Sequence, residues 1–185
     1  MRQQPHHEHI PTALLHALQR ALPHLPAPIL PRQATTLPAA PGTYLLLMKW
    51  DEDLPLSGRF RGHTLPPGHY LYAGSARGPG GLRARLSRHL KRRKKIRWHV
   101  DQLTTRSGFI CALPFPDAPE PAHKLQSGAE HQPEPVPPPE PESNTSECQL
   151  ASLLLNAGFS HPLPGFGSSD CSSCNSHLLR WQEER

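Results

Sequence analysis

The sequence predicts an α+β fold in which a small antiparallel sheet is flanked by helices. Three observations carry that expectation. Gly42, Thr43 and Tyr44 run into Leu45, Leu46, Leu47, Met48, Lys49 and Trp50, a short and mostly apolar stretch of strand character. A second strand pattern, His69 to Ala73, follows after two turns. Beyond it, Leu82, Leu86 and Leu90 fall on one stripe of a helix at about 100° per residue.

Composition sets the limits. With 24 prolines and 6% aromatic residues among 185, much of the chain cannot build core. The globular part is expected to be about 120 to 130 residues, enough for one modest core. The formal net charge of +5 hides a sharp asymmetry. Ten Lys or Arg and no acid lie between Arg77 and Arg97, half of all the cations, so a polyanion is the expected partner. From Pro114 to Ser146 there are six acids and one Lys. No stretch approaches the ~20 apolar residues that span a bilayer, which excludes a membrane partner. The start lacks the apolar run and cleavage site of a signal peptide. Four cysteines then fit a reducing cytosol better than a disulfide framework. The expected location is cytoplasmic, extending to association with the nucleoid.

The chain divides into four parts. Residues 1–41 hold a polar start with His6, His7 and His9, whose geometry nothing fixes for a metal, then a helix and a proline-rich linker. That helix is read from Ile10, Leu14, Leu18, Ala21, Leu22 and Leu25, with Pro11 in its first turn and Pro23 and Pro26 ending it. Residues 42–113 form the core. In it Asp51 to Pro55 is a turn, Arg59 to His63 a short strand, and Pro66 to Gly68 a second turn. Tyr44 and Tyr72 then stand on adjacent antiparallel strands.

The turn at Gly78, Pro79, Gly80 and Gly81 is not a nucleotide-binding P-loop, since no Lys-Ser/Thr pair follows. On the helix after it, Arg85 and His89 lie beside the leucine stripe and are expected half-buried against the sheet. Arg83, Arg88, Lys91, Lys94 and Lys95 point to solvent and, with Arg92, make the candidate nucleic-acid-binding set. Residues 96–103 and 109–113 read as further strands or extended pieces.

Residues 114–145 read as a disordered Pro/Glu-rich insertion. Residues 146–185 complete the core. A helix is expected from Thr145 or Ser146, with Leu150, Leu153, Leu154 and Ala157 apolar and Gly158 as its cap. Glu147 shares a face with Leu150, Ala151 and Leu154.

Taken in order, Gly42-Thr43-Tyr44, Tyr72-Ala73-Gly74, Arg85, His89 and a Glu on a later helix resemble the GIY-YIG nuclease superfamily. One branch is resembled more narrowly, a domain of unknown function found alone or joined to DNA-repair glycosylases. The resemblance rests on Leu71 to Ala76, Gly80-Gly81-Leu82, Arg85-Leu86, Arg88-His89, Trp98 to Asp101 and Gly165 to Cys171. It covers about residues 40 to 112 and 145 to 180.

The resemblance implies hydrolysis of phosphodiesters with one divalent metal, Mg²⁺ or Mn²⁺. Tyr44 would be general base on the attacking water and Tyr72 the second site tyrosine. Arg85 would steady charge developing on the phosphate, His89 would bridge nucleophile or phosphate contacts, and His99 would join them. Glu147 would be the only protein ligand of the metal. Nucleic acid, DNA favoured over RNA, and DNA-repair proteins are the implied partners.

The same residues have purely structural readings. Tyr44 and Tyr72 suit ordinary strand positions, Arg85 and His89 a helix flank, and Glu147 the positive end of a helix. Asp101 is placed to orient His99. In the tail, Cys171, Cys174 and His177, with Cys148 as a fourth, have spacing that suits a structural zinc ion; the plainer alternative is small buried thiols in a glycine-rich turn. The function expected is a metal-dependent DNA endonuclease of repair or recombination. The alternatives are a catalytically inactive nucleic-acid-binding module and a module that recruits repair partners.

Overall fold

The structure, a computed structural model, describes residues 10–118, 146–168, 171 and 174–182. The expectations for His6, His7 and His9 and for most of the 114–145 insertion lie outside the described residues. Helix α1 (Thr12–Ala21) follows Pro11 and buries Leu14, Ala17, Leu18 and Ala21 along one face. It stops before Pro23, earlier than the expected Leu25, because Pro disfavours helical geometry at the residue before it and Leu22 turns out of the helix at φ −132°.

Strands β1 (Gly42–Trp50), β4 (Gly68–Ser75), β5 (Phe109–Pro116) and β6 (Leu178–Arg180) form an antiparallel sheet in the order β5-β1-β4-β6. The mixed α+β class read from sequence is the observed one. Between β1 and β4, β2 (Leu54–Pro55) and β3 (Thr64–Leu65) make a small ladder of their own. The strand expected over Arg59–His63 is instead a 3₁₀ turn, Gly58–Phe60, with Gly58 at its start (φ 64°) and Gly62 just beyond it (φ 92°). Such left-handed positions break a strand and suit glycine.

Strand β1 is central and covered on both faces, so it reads as an unbroken apolar run rather than an alternating one. One face carries Tyr44, Leu46, Met48, Trp50, Tyr70 and Tyr72 and packs on Leu82, Leu86 and Leu90 of α2 (Gly81–Leu90). The other carries Leu45, Leu47, Leu71 and Ala73 and packs on α1 and on Leu150, Ala151 and Leu154 of α4 (Glu147–Asn156). Helix α4 starts with a capping box: the Gln149 amide donates to the Ser146 hydroxyl, and the Gln149 side chain accepts from the Ser146 amide.

Residues 96–103 are not a strand. The Asp101 carboxylate accepts the amides of Arg97 (2.9 Å) and Trp98 (3.1 Å), which curls the chain into the short helix α3 (Asp101–Thr104). Strand β5 continues past the expected Leu113 to Pro116. The proline-rich linker also has structure. Pro31–Thr36 is a 3₁₀ turn, and Ile29 exchanges two backbone bonds (2.8 and 2.9 Å) with Ala112 on the outer edge of β5. At the opposite edge Ser160 does the same with Arg180 of β6.

Candidate functional site

Register brings the two tyrosines together. Tyr44 pairs across the ladder with Gly74, and Leu46 with Tyr72, so Tyr44 and Tyr72 are diagonal neighbours on the α2 face. A side chain at position 74 would put its Cβ 2.5 Å from the Tyr44 hydroxyl, so glycine there is the seat of the Tyr44 ring. Gly167, at φ 81°, does the same for Tyr72, whose ring carbon would lie 2.7 Å from an added Cβ.

Each tyrosine hydroxyl meets a histidine. Tyr44 Oη lies 2.9 Å from His89 Nε2, and Tyr72 Oη 3.3 Å from His99 Nε2. His89 is 1% exposed rather than half-buried, because Tyr44 and the Trp98 ring both close over it. Burial, then the charge of Lys94, hold its pKa down to about 3, with Asp101 opposing and Arg85 and Arg88 adding. His99 is lowered by burial and by Arg59, with Asp101 opposing. Both imidazoles are therefore neutral at pH 7.

His89 Nδ1 is buried with no hydrogen-bond partner. A buried orphan N–H is rarer than an orphan acceptor, which favours the tautomer with its proton on Nε2. In that tautomer Nε2–H donates to the Tyr44 oxygen and leaves the phenolic proton free for another acceptor. Burial pushes the Tyr44 phenol well above its ordinary value; Tyr72 and Glu147 add to this and Arg85 opposes it. Tyr72 is pushed up to about 12 by burial, with Arg85 opposing and Glu147 adding. Arg85 and Glu147 thus act on both phenols.

Glu147 opens α4, half-buried, and its Oε1 accepts from the Ser75 hydroxyl at 3.2 Å. Ser75 ends β4, one residue after the Gly74 seat. Sequence reasoning gave it no role, although it stands directly after Tyr72-Ala73-Gly74, inside the stretch Leu71 to Ala76. The Arg85 guanidinium lies over the Trp98 ring at 4.6 Å. Both residues line a cleft of about 200 Å³ with Ala76, Gly78, Pro79, Gly81 and Ala84; neither tyrosine lines it.

The family described as Domain of unknown function DUF123 matches residues 43–115 and 138–185. The chain belongs to that family. DUF123 is a GIY-YIG-like domain of unknown function. No curated protein and no solved structure matches the chain.

The second DUF123 segment contains, beside Glu147, a cluster of Cys148, Cys171, Cys174 and His177 whose ligand atoms all lie within 4.8 Å of one another. Cys148 Sγ is 3.3 Å from Cys171 Sγ and 3.5 Å from His177 Nε2. None of the four cysteines is in a disulfide. Burial and the neighbouring thiols of Cys174 and Cys171 push the Cys148 thiol up. This Cys₃His set could bind a metal such as zinc, and no membrane-crossing helix is found among the described residues.

The first segment carries the basic helix, and here the solvated reading is corrected for two residues. Arg88 meets Asp101 Oδ2 at 2.5 Å, and Lys94 meets Oδ1 at 3.3 Å with its side chain only 4% exposed. Lys94 also donates to the carbonyls of Arg88 and His89. Burial pushes Asp101 up, yet the amides of Arg97 and Trp98 with Lys94 outweigh it and hold the carboxyl below its ordinary value. Asp101 thus neutralises Arg88 and Lys94 rather than orienting His99. The signal was available in sequence, since Asp101 is the first acid after a long cationic run. Arg92 donates to the carbonyls of Ser107 and Gly108, and Arg83 to that of Leu37. Arg83, Lys91, Arg92 and Lys95 remain exposed.

Proposed function

We propose that the chain is a divalent-metal-dependent endonuclease that hydrolyses phosphodiester bonds in DNA, in repair or recombination. The observation that carries this reading is the pair of tyrosine–histidine contacts, with Arg85 and Glu147 acting on both phenols. A lone buried tyrosine would need none of these neighbours.

In this reading Tyr44 accepts the proton of the attacking water. Its phenolate is held by the Nε2–H of neutral His89 and by the charge of Arg85. Tyr72, held by His99, orients the phosphate, and Arg85 carries the charge that develops on its oxygens. Glu147 and the Ser75 hydroxyl beside it are hard oxygen donors, which suits Mg²⁺ or Mn²⁺. When bound, such a cation supplies the positive charge that lowers the proton affinity of a buried phenol and polarises the phosphate. Without a cation, burial leaves Tyr44 a reluctant acid, so the reading requires one. Lys91, Lys95, Arg83 and Arg92 would track the DNA backbone, and such contacts carry little sequence information.

A nicking assay on branched and plain DNA with Mg²⁺ or Mn²⁺ tests the proposal. Cleavage abolished by Tyr44→Phe and by Glu147→Ala, with DNA binding retained, is the expected result. Binding without cleavage under either metal would sink the enzyme and leave a nucleic-acid-binding module.

A further inference from the structure

We propose that Cys148, Cys171, Cys174 and His177 bind one zinc ion, and that this ion is the clasp that seats Glu147 against the tyrosine pair. The zinc part stands on its own geometry; the consequence at Glu147 rests on the nuclease reading above.

The donor geometry is close to what zinc requires. Zn–S bonds of about 2.3 Å and Zn–N bonds of about 2.0–2.1 Å in a tetrahedron place sulfurs about 3.8 Å apart and sulfur and nitrogen about 3.5 Å apart. The Cys148–His177 distance is 3.5 Å, the Cys148–Cys171 distance is 3.3 Å, and no pair exceeds 4.8 Å. Adjustments of an ångström or less close the site. The Cys174 amide donates to Cys171 Sγ at 3.2 Å, which holds the two ligands in one turn of chain. Three thiols and an imidazole fill a four-coordinate site and leave no position for a substrate, which marks a structural ion. Soft sulfurs here and the hard carboxylate of Glu147 next door would sort two different metals into two adjacent places.

The four ligands come from three pieces of chain that meet at the tyrosines. Cys148 is in the first turn of α4, directly after Glu147. Cys171 and Cys174 lie on the loop that follows Gly167, the seat of the Tyr72 ring. His177 enters β6: its carbonyl accepts from Ala73, its amide donates to Phe166, and its successor Leu178 pairs with Tyr72. An ion shared by these ligands fixes the start of α4 against the strand that carries Tyr72. The leucines of α4 hold the body of the helix on β4 from the opposite face of the sheet, and the ion ties down its first turn, where Glu147 stands.

The test uses the full chain without a tag. Metal analysis of the purified protein is expected to find about one zinc per chain, and Cys174→Ser to lose it while Cys174→His retains it. Zinc is then stripped from the wild type with a soft-metal chelator and restored. Amide exchange at residues 147–151 and 177–179 is expected to speed up about tenfold or more on stripping and to recover on restoration. Mn²⁺ affinity, read by titration, is expected to fall by about tenfold in the same step. Absence of zinc, even after addition to reduced protein, overturns the proposal. Zinc that binds without changing exchange at 147–151 overturns the clasp. If Glu147→Gln leaves Mn²⁺ binding unchanged while zinc still protects these amides, the clasp stands and the nuclease reading loses its metal ligand.

Discussion

Replacing Asp101 by Ala tests how the basic helix is held. Asp101 is fully buried and Lys94 nearly so, and the carboxylate meets Arg88 at 2.5 Å and Lys94 at 3.3 Å. Removing it strands one buried ammonium and one half-buried guanidinium, and it also frees the amides of Arg97 and Trp98. Breaking a buried pair by deleting one partner costs about 3–5 kcal/mol. In a chain of this size that lowers the melting temperature on the order of 10 °C. Asp101→Asn with Lys94→Met, measured with both single variants by urea unfolding, isolates the pair. The expected coupling is about 1–3 kcal/mol, with the double variant more stable than the two single losses would sum to. Stability of Asp101→Ala within about 0.5 kcal/mol of wild type, or strict additivity, would refute the buried triad.

Three further outcomes follow from the same geometry. Folding should weaken in acid: the unfolded chain protonates its histidines near pH 6.5, whereas His89 in the fold stays neutral until about pH 3. The unfolded state therefore binds more protons below pH 6.5, and His89 alone should cost about 2 kcal/mol by pH 5, read from urea midpoints across that range. Gly74→Ala should displace the Tyr44 ring and depress cleavage by about tenfold or more while leaving DNA affinity unchanged, as measured by single-turnover nicking and filter binding. Lys91→Ala and Lys95→Ala should each reduce the salt slope of DNA binding by about one unit, whereas Lys94→Met should leave that slope intact and lower the melting temperature.

Local patterns made the core legible. The run from Gly42 to Trp50, the leucine stripe of α2 and the apolar spacing of α4 after Ser146 each act within one element, and each lies where its pattern puts it. The two tyrosines fall on adjacent antiparallel strands as expected, while the register that makes them neighbours on one face came only with the fold. What escaped the sequence depends on partners distant along the chain. Lys94 looks like one more solvated cation until Asp101 folds under it. Strand β6, with only three residues, has no periodicity of its own and exists through its pairing with β4. By contrast, the cysteine spacing with Cys148 as a fourth ligand was legible in the sequence, and the fold brings those four residues together across more than twenty positions.

The bond between Ile29 and Ala112 bears on how the protein behaves in a crowded solution. Residues of an antiparallel edge strand alternate in pointing their backbone groups inward and outward. Because Ala112 faces outward to Ile29, Pro114 and Pro116 face outward too, and proline has no N–H to offer. One outward position of β5 is occupied and the next two are mute as donors. An incoming strand from another copy would find little to template on there, which guards the sheet against edge-to-edge aggregation. The prolines that thin out the core thus keep its exposed margin from recruiting neighbours.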